Sequence, residues 1–332
     1  VSIPLEELFD SLVIPLERPT GRSLSAAPVP DYENYKLAKD SSGSPCLLLR
    51  QAAAATPTSP IRLQNLIVSY SVPCVVTHPD HEQEQGIFTI IKCSNVDPSL
   101  FPHFLKILSP IIVTLGPAPT AAAVRRAIAG LVDLFQALTT PARKSIQGLW
   151  AELFLIRHAS NPREVARAWH QMPGETIDFI SGRQRVEVKS SSTRKRVHHF
   201  SLLQLTPPAH ARLLVASVFV EGIGGGVSLR EITEEIRTLL AEEPPLLARF
   251  DAVFYATLGS SWQEAMEERF DAELALDSLR FFDSLQVPKI DGPIPVLVSD
   301  IRFASDLSGV PSMDTASMVE AGGLFAAALG TG

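Results

Sequence analysis

The chain is poor in cysteine: Cys46, Cys74 and Cys93 are the only three in 332 residues, far apart and without a CxxC spacing. That scarcity excludes a disulfide framework and a zinc knuckle, and it fits a reducing, cytoplasmic setting. Long apolar runs are also lacking. The most hydrophobic stretches are broken by Lys106, by Pro110 or by the glycines from Gly222 onward, short of the roughly 18 uninterrupted residues a membrane span needs. No signal peptide and no internal repeat is legible. Basic residues are outnumbered, 29 Lys and Arg against 36 Asp and Glu, and the formal charge of −7 argues against a protein that coats nucleic acid non-specifically. What is present, 45% hydrophobic and 20% charged residues, is the composition of a soluble globular protein long enough for two domains.

The first 60 residues carry "RPTGRSLSAAPVPD" and "AAAATPTSP", whose prolines and small residues read as loops. They flank strand candidates. "SPCLLLRQ", "QNLIVSYSVPCVVTH" and "QGIFTIIKC" are rich in β-branched and aromatic residues, with turn residues between them, and predict a small antiparallel sheet. From Leu100 the period changes: "LFPHFLKIL" and then Val124, Ile128, Leu131, Phe135 and Leu138 predict two amphipathic helices separated by "LGPAPT". A second break near Thr139 to Pro141 divides the chain into a β-rich α+β domain, 1–140, and an α/β domain, 141–332. In the latter, "ARLLVASVFVE" is a nearly continuous apolar run, the mark of a strand covered on both faces. The following "GIGGGVSLREI" lacks the third glycine of a dinucleotide fingerprint, Val227 standing in its place, and reads as a flexible loop before a helix capped by Ser228 and Glu231. Residues 231–283 hold 13 acidic and 4 basic side chains, a solvated face or a docking surface for a basic partner.

The segment with most chemistry is "IDFISGRQRVEVKSSS", residues 177–192. Folded as a hairpin around Gly182 and Arg183, with glycine first as a type II′ turn prefers, its register pairs residues whose numbers sum to 365. Asp178 then lies opposite Glu187, Lys189 shares their face, and Ile177, Phe179, Val186 and Val188 project to the other. Two ionised carboxylates roughly 5 Å apart repel by about 3 kcal/mol at an effective dielectric near 20. A divalent cation, magnesium or manganese, offsets that directly, and Lys189 supplies a neighbouring point charge able to position or deprotonate an attacking water. Glu152, in "SIQGLWAELFLIRHA", falls on or beside the apolar stripe of its helix, and burying such an acid without a partner is costly, so the carboxylate cluster is its expected destination.

Between Arg183 and His199 there are six basic residues against the single acid Glu187, a local formal charge of +5 in an acidic protein. That contrast suggests phosphate. Ser190, Ser191, Arg194, Lys195, Arg196, His198 and His199 follow the lysine closely, with hydroxyls and cations suited to holding a nucleic-acid backbone without reading sequence, although solvated-turn or strand-end roles are open to them.

These residues resemble the PD-(D/E)XK nuclease superfamily: a helix glutamate (Glu152), an aspartate (Asp178), the E-x-K tripeptide (Glu187, Val188, Lys189) and a glutamine on the next helix (Gln204 in "FSLLQL"). More narrowly, "GLWAELFLIRHA", "AWH", "IDFISG", "VEVKSSS" and "VHHFSLLQL" resemble the PD-(D/E)XK proteins encoded beside restriction and phage-defence genes, over about Ser145 to Glu221. Ile177 stands where the proline of the motif's name belongs, and "NPREVARAWHQ" reads as helix where an extra strand would be expected. The resemblance implies a restriction-endonuclease-like α/β core in which Asp178 and Glu187, helped by the Val188 carbonyl, hold magnesium, Lys189 orients water, and Glu152 and Gln204 assist. It implies an endonuclease acting on DNA, with protein partners from a restriction or defence system. The alternative is a nuclease fold that has lost turnover and serves as a DNA-binding or assembly subunit. A small-molecule α/β enzyme is disfavoured by the lack of a phosphate-cradling glycine loop and of a Ser-His-Asp arrangement.

Overall fold

The computed structural model describes residues 3–15, 23–50, 58–80, 82–94, 96–142, 144–170 and 175–330, and the chain divides into two units, 1–140 with 241–256, and 141–240 with 257–332. The first unit opens with a short helix, α1 (Leu5–Asp10), and a sheet of six strands: β1 (Ser23–Val29), β2 (Tyr32–Asp40), β3 (Pro45–Arg50), β4 (Ile61–Arg62), β5 (Leu66–Thr77) and β6 (Gln83–Cys93). Their order is β1-β2-β3-β6-β5-β4, and β1 also pairs in parallel with β5 at Ser23↔Val75, Leu24↔Val76 and Ser25↔Thr77, so the sheet closes on itself. Closure removes two sheet edges and encloses Leu24, Ala26, Ala38, Cys46, Leu48, Cys74, Val76, Phe88 and Ile90. All three cysteines are buried in this unit. The helices α2 (Leu100–Leu115) and α3 (Ala121–Ala137) follow, the latter capped by Thr120 Oγ1 on the Ala123 amide at 3.2 Å.

Part of the stretch expected as loop is instead strand. Residues 23–29 form β1, with Pro28 beside a register shift at its end, and Asp31 takes a φ of 65° in the turn to β2. Residues 18–22 and 52–57 of the expected loops lie outside the described residues.

The second unit begins with α4 (Ile146–His158), capped by Ser145 Oγ on the Gly148 amide, and α5 (Pro162–Ala168), with Asn161 as cap and proline at the helix start. A four-stranded sheet comes next, built from β7 (Phe179–Ser181), β8 (Gln184–Ser191), β10 (Arg212–Phe219) and β13 (Arg280–Asp283) in the order β13-β10-β8-β7. Only β8 and β10 run parallel; they are joined through β9 (Val197–Ser201), which pairs with β14 (Arg302–Asp306) as a separate two-stranded ladder. The apolar strand expected at 211–221 is the interior strand β10, buried from Leu213 to Val218. The hairpin register is the one the turn dictates: Phe179↔Val186, Ile180↔Arg185 and Ser181↔Gln184, with Gly182 at φ 56° in the turn. Ile177 departs from the expected alternation, because β7 begins only at Phe179 and Ile177, ahead of the strand, belongs to a cluster with Phe200, Leu213, Val215 and Phe282.

The glycines after Gly222 do not form a loop. They make β11 (Gly222–Ser228), paired with β12 (Arg269–Phe270) around an irregularity, ahead of α6 (Leu229–Leu240). A Cβ built on Gly226 would lie 2.2 Å from the Phe270 carbonyl oxygen, so close backbone approach accounts for glycine there. The capping box is present: the Ser228 amide donates to Glu231 Oε2 at 2.7 Å and the Glu231 amide to Ser228 Oγ at 3.1 Å. Among the described residues no helix is long and apolar enough to cross a membrane.

Candidate metal centre and active site

Asp178 sits where β7 runs out. Its carbonyl accepts the His170 amide at 3.0 Å, and its carboxylate Oδ2 accepts the Val188 amide at 2.8 Å, so a side chain satisfies a backbone donor of β8 that the short β7 leaves uncovered. Directly across the extended register lies Glu187. Both carboxylates are buried, 4% and 3% exposed, and so is Glu152 of α4, at 3%. That helix is apolar on nearly every side, with Leu149, Trp150, Leu153, Phe154 and Ile156 all buried, and Glu152 is its one buried acid.

Each buried acid has a distinct set of partners. Glu152 Oε1 accepts from Lys144 Nζ at 2.5 Å, and its Oε2 accepts the Trp169 indole at 2.9 Å and lies 3.1 Å from His170 Nε2. Lys144 reaches Asp178 Oδ1 as well, at 2.6 Å, and His170 Nε2 at 3.2 Å. Glu187 Oε1 accepts from Gln204 Nε2 at 2.5 Å and from Lys189 Nζ at 2.9 Å, whereas its Oε2 is buried with no hydrogen-bond partner among the described residues. Gln204 Oε1 in turn faces Lys189 Nζ at 3.5 Å, and that ammonium lies 5.1 Å above the Phe200 ring.

Proton affinities follow from these surroundings. Burial, reinforced by the charge of Asp178, pushes the Glu187 carboxyl up to about 8 despite Lys189 beside it. Burial and the Glu152 charge likewise raise Asp178, against the pull of Lys144 and the Val188 amide. Burial would raise Glu152 too, but the His170 hydrogen bond and the Lys144 charge outweigh it and hold this carboxyl below its ordinary range. Lys144, although burial opposes its charge, is held strongly protonated by Glu152 and Asp178.

The sequence-predicted residues Glu152, Asp178, Glu187, Lys189 and Gln204 therefore come together, with the Val188 amide bound to Asp178. Gln204 arrives by a different route from the one expected. It lies in a turn after β9, where its Oε1 accepts the Ser201 amide at 3.0 Å, and Pro207 and Pro208 prevent a helix. The basic run separates. Ser190 Oγ accepts from Gln147 at 3.0 Å beside the cluster, and the Ser191 and Thr193 hydroxyls meet at 3.2 Å. Arg194, at φ 53°, makes a bidentate pair with Glu221 at 2.6 and 2.9 Å, and Lys195 is exposed. Arg196 turns inward to the Ser217 carbonyl and hydroxyl and to the Ser278 carbonyl. His198 lies inside β9, not at a strand end; it is buried with Nε2 2.7 Å from Ser217 Oγ, while His199 is exposed.

Two members of the site carry no signal of their own in the linear chain. Lys144 directly precedes the cap of α4, and His170 follows Trp169 after α5 with a strained φ of 36°. The only hint was "AWH", whose histidine sits where a helix ends. One ligand atom each from Glu152, His170 and Asp178 lies within 4.8 Å of the others, the spacing of groups that can share one ion. The donors suit a divalent cation of the magnesium or manganese kind: three buried carboxylates, one with an orphaned oxygen, and an imidazole.

No curated protein and no solved structure matches the chain. A family model described as "Putative PD-(D/E)XK family member" (DUF4420) matches residues 5–308. That span takes in every residue of the cluster, and the chain belongs to this PD-(D/E)XK family.

Proposed function

We propose that the chain is a metal-dependent phosphodiester hydrolase that cuts DNA as an endonuclease, with residues 141–332 forming a restriction-endonuclease-like nuclease domain with C-terminal additions. The observation that carries this reading is the convergence of three buried carboxylates upon two lysines, with Glu187 Oε2 buried and unpartnered among the described residues. Asp178, Glu187 and the Val188 carbonyl would hold the ion, with Glu152 completing the set. A bound magnesium or manganese ion supplies Lewis-acid polarisation of the phosphate and a nucleophilic water at neutral pH.

The chain's own residues supply the rest. Lys189 is fixed by Glu187 and Gln204 on one side and by the Phe200 ring on the other, so its ammonium is held at the site to donate to and orient an attacking water. Gln204 ties Glu187 to the Thr176 carbonyl, 3.2 Å from its Nε2, and so keeps the two halves of the site in register. Ser190, beside Lys189, and exposed Lys195 and His199 are suited to phosphate oxygens. The reading extends to a restriction or phage-defence role, in which residues 1–140 serve binding or assembly and the acid-rich stretch 231–283 meets a basic partner.

A second reading is favoured by one contact. Lys144 already neutralises Glu152 and Asp178 at 2.5 and 2.6 Å, as expected of a nuclease fold that has become a DNA-binding or assembly subunit. Incubating the purified protein with supercoiled plasmid, single-stranded DNA and RNA, with and without magnesium, separates the two. Metal-dependent cutting of DNA that disappears in Asp178→Ala and Lys189→Ala supports the hydrolase; binding without cutting under every metal condition supports the subunit.

A further inference from the structure

A second collection of like charges lies on the sheet face that carries Glu187 and Lys189. The parallel register sets Lys189 beside Ser217, and the antiparallel register sets Ser217 beside Arg280, so one cross-strand row reads Lys189, Ser217, Arg280. Two strand spacings separate its ends, roughly 10 Å. By the alternation of strands, Phe219 and Phe282 share this face. There a cleft of about 330 Å³ is lined by Arg194, Arg196, Arg280, Phe219, Phe282 and Ser308, among others.

The charges in this cleft do not balance. Arg194 is neutralised by Glu221. Arg196 gives three of its five N–H donors to the Ser217 and Ser278 carbonyls and the Ser217 hydroxyl, none of them anionic, and is clamped over Phe219 at 4.7 Å and near Phe282 at 5.8 Å. Arg280 is exposed and, among the described residues, donates only to the carbonyl of its neighbour Leu279, at 2.7 Å. Burial and the nearby Arg280 lower the proton affinity of Arg196, the response of a cation facing a like charge. Two guanidiniums line one cleft to which no carboxylate among the described residues contributes, one clamped and one exposed, and together they form a receptor for an anion with several acceptor oxygens.

We propose that the cleft between Arg196 and Arg280 binds a phosphate of the nucleic-acid strand whose scissile bond lies at Lys189, at a position further along the same strand. This inference rests on the hydrolase reading above. The clamped Arg196 sets the position of the phosphate, Ser308 adds a hydroxyl at the wall, and Arg280 closes over it from the solvent side.

The test uses the full chain carrying Lys189→Ala, so that no turnover intervenes, and compares it with the same protein carrying Arg280→Ala as well. Because Arg280 is exposed and, among the described residues, holds only a neighbouring carbonyl, its removal leaves the fold intact, which circular dichroism checks. Calorimetry measures binding of a short single-stranded DNA with and without a 5′ phosphate, and of inorganic phosphate. The expected result is about a tenfold loss of oligonucleotide affinity on Arg280→Ala and a salt slope reduced by about one. Dependence on the 5′ phosphate identifies a terminal group, and independence from it a backbone phosphate; both agree with the proposal. Equal oligonucleotide affinity in the two proteins, no measurable binding at all, or binding of inorganic phosphate alone overturns it. Failure here, with cutting still abolished by Asp178→Ala, removes the cleft and leaves the hydrolase; Arg280-dependent binding without cutting under any condition does the reverse.

Discussion

Replacing Lys144 with methionine keeps the length of the side chain and removes its charge. In the wild type, that ammonium stands 2.5 Å from one buried carboxylate and 2.6 Å from another. Breaking a fully buried pair costs about 3–5 kcal/mol, because it strands an uncompensated charge. A third of the lysine side chain is exposed, so solvent already screens part of the interaction and about 2–3 kcal/mol is the expected loss. Asp178 limits it further by taking up a proton, since burial and Glu152 already hold its carboxyl above the ordinary range. In chelator, the second unit of Lys144→Met should therefore melt roughly 5–10 °C below the wild type. Manganese should act in the opposite sense: a divalent ion at 100 times its dissociation constant contributes about 2.7 kcal/mol and brings the variant back close to the wild type. Differential scanning calorimetry with and without manganese reads both effects. An unchanged melting temperature in chelator, or a manganese-induced rise no larger in Lys144→Met than in wild type, would refute the reasoning.

Other consequences follow from the same contacts. Burial, with Lys189 nearby, pushes His198 down to about 4, so the unfolded chain binds the extra proton first: its contribution to stability is complete above pH 6.5 and is lost as pH falls toward 4. Denaturant titrations should show up to about 3 kcal/mol of loss over that window, and a much flatter profile in His198→Gln. Gly226→Ala drives a methyl group onto the Phe270 carbonyl and should cost about 1–3 kcal/mol in thermal unfolding, whereas Gly224→Ala, with open space around it, should cost far less. Gln204→Ala releases Lys189 and Glu187 together; kcat for DNA cutting should fall about tenfold, near 1.4 kcal/mol, with KM nearly unchanged.

The hairpin carrying Asp178 and Glu187 was legible because a two-residue turn leaves one register open, and the pairs from Phe179↔Val186 to Ser181↔Gln184 obey it. The interior strand β10 was legible for a similar reason, its apolar run having no polar face to present to water. Strand β2 escaped notice because Glu33, Lys36 and Lys39 interrupt its apolar residues, although Tyr35, Leu37 and Ala38 are buried. Gly222 to Gly226 looked like a loop because local flexibility is all that a glycine run displays in a sequence; the approach of Phe270 belongs to the tertiary fold. Lys144 and His170 were invisible on the same grounds. Asp178 lies 34 residues from the first and accepts the backbone amide of the second, and neither relation leaves a periodic trace. Arg196 shows the opposite error, since a basic run suggests one shared surface and the fold turns its members in different directions.

The account depends on a divalent ion entering between Asp178 and Glu187, and electron paramagnetic resonance of manganese titrated into the purified chain observes that event without requiring turnover. The account predicts saturable manganese binding in the wild type that is lost in Asp178→Ala and strongly weakened in Glu187→Gln, with both variants folded. Manganese that remains free in the wild type, or that binds the wild type and Asp178→Ala alike, would contradict it.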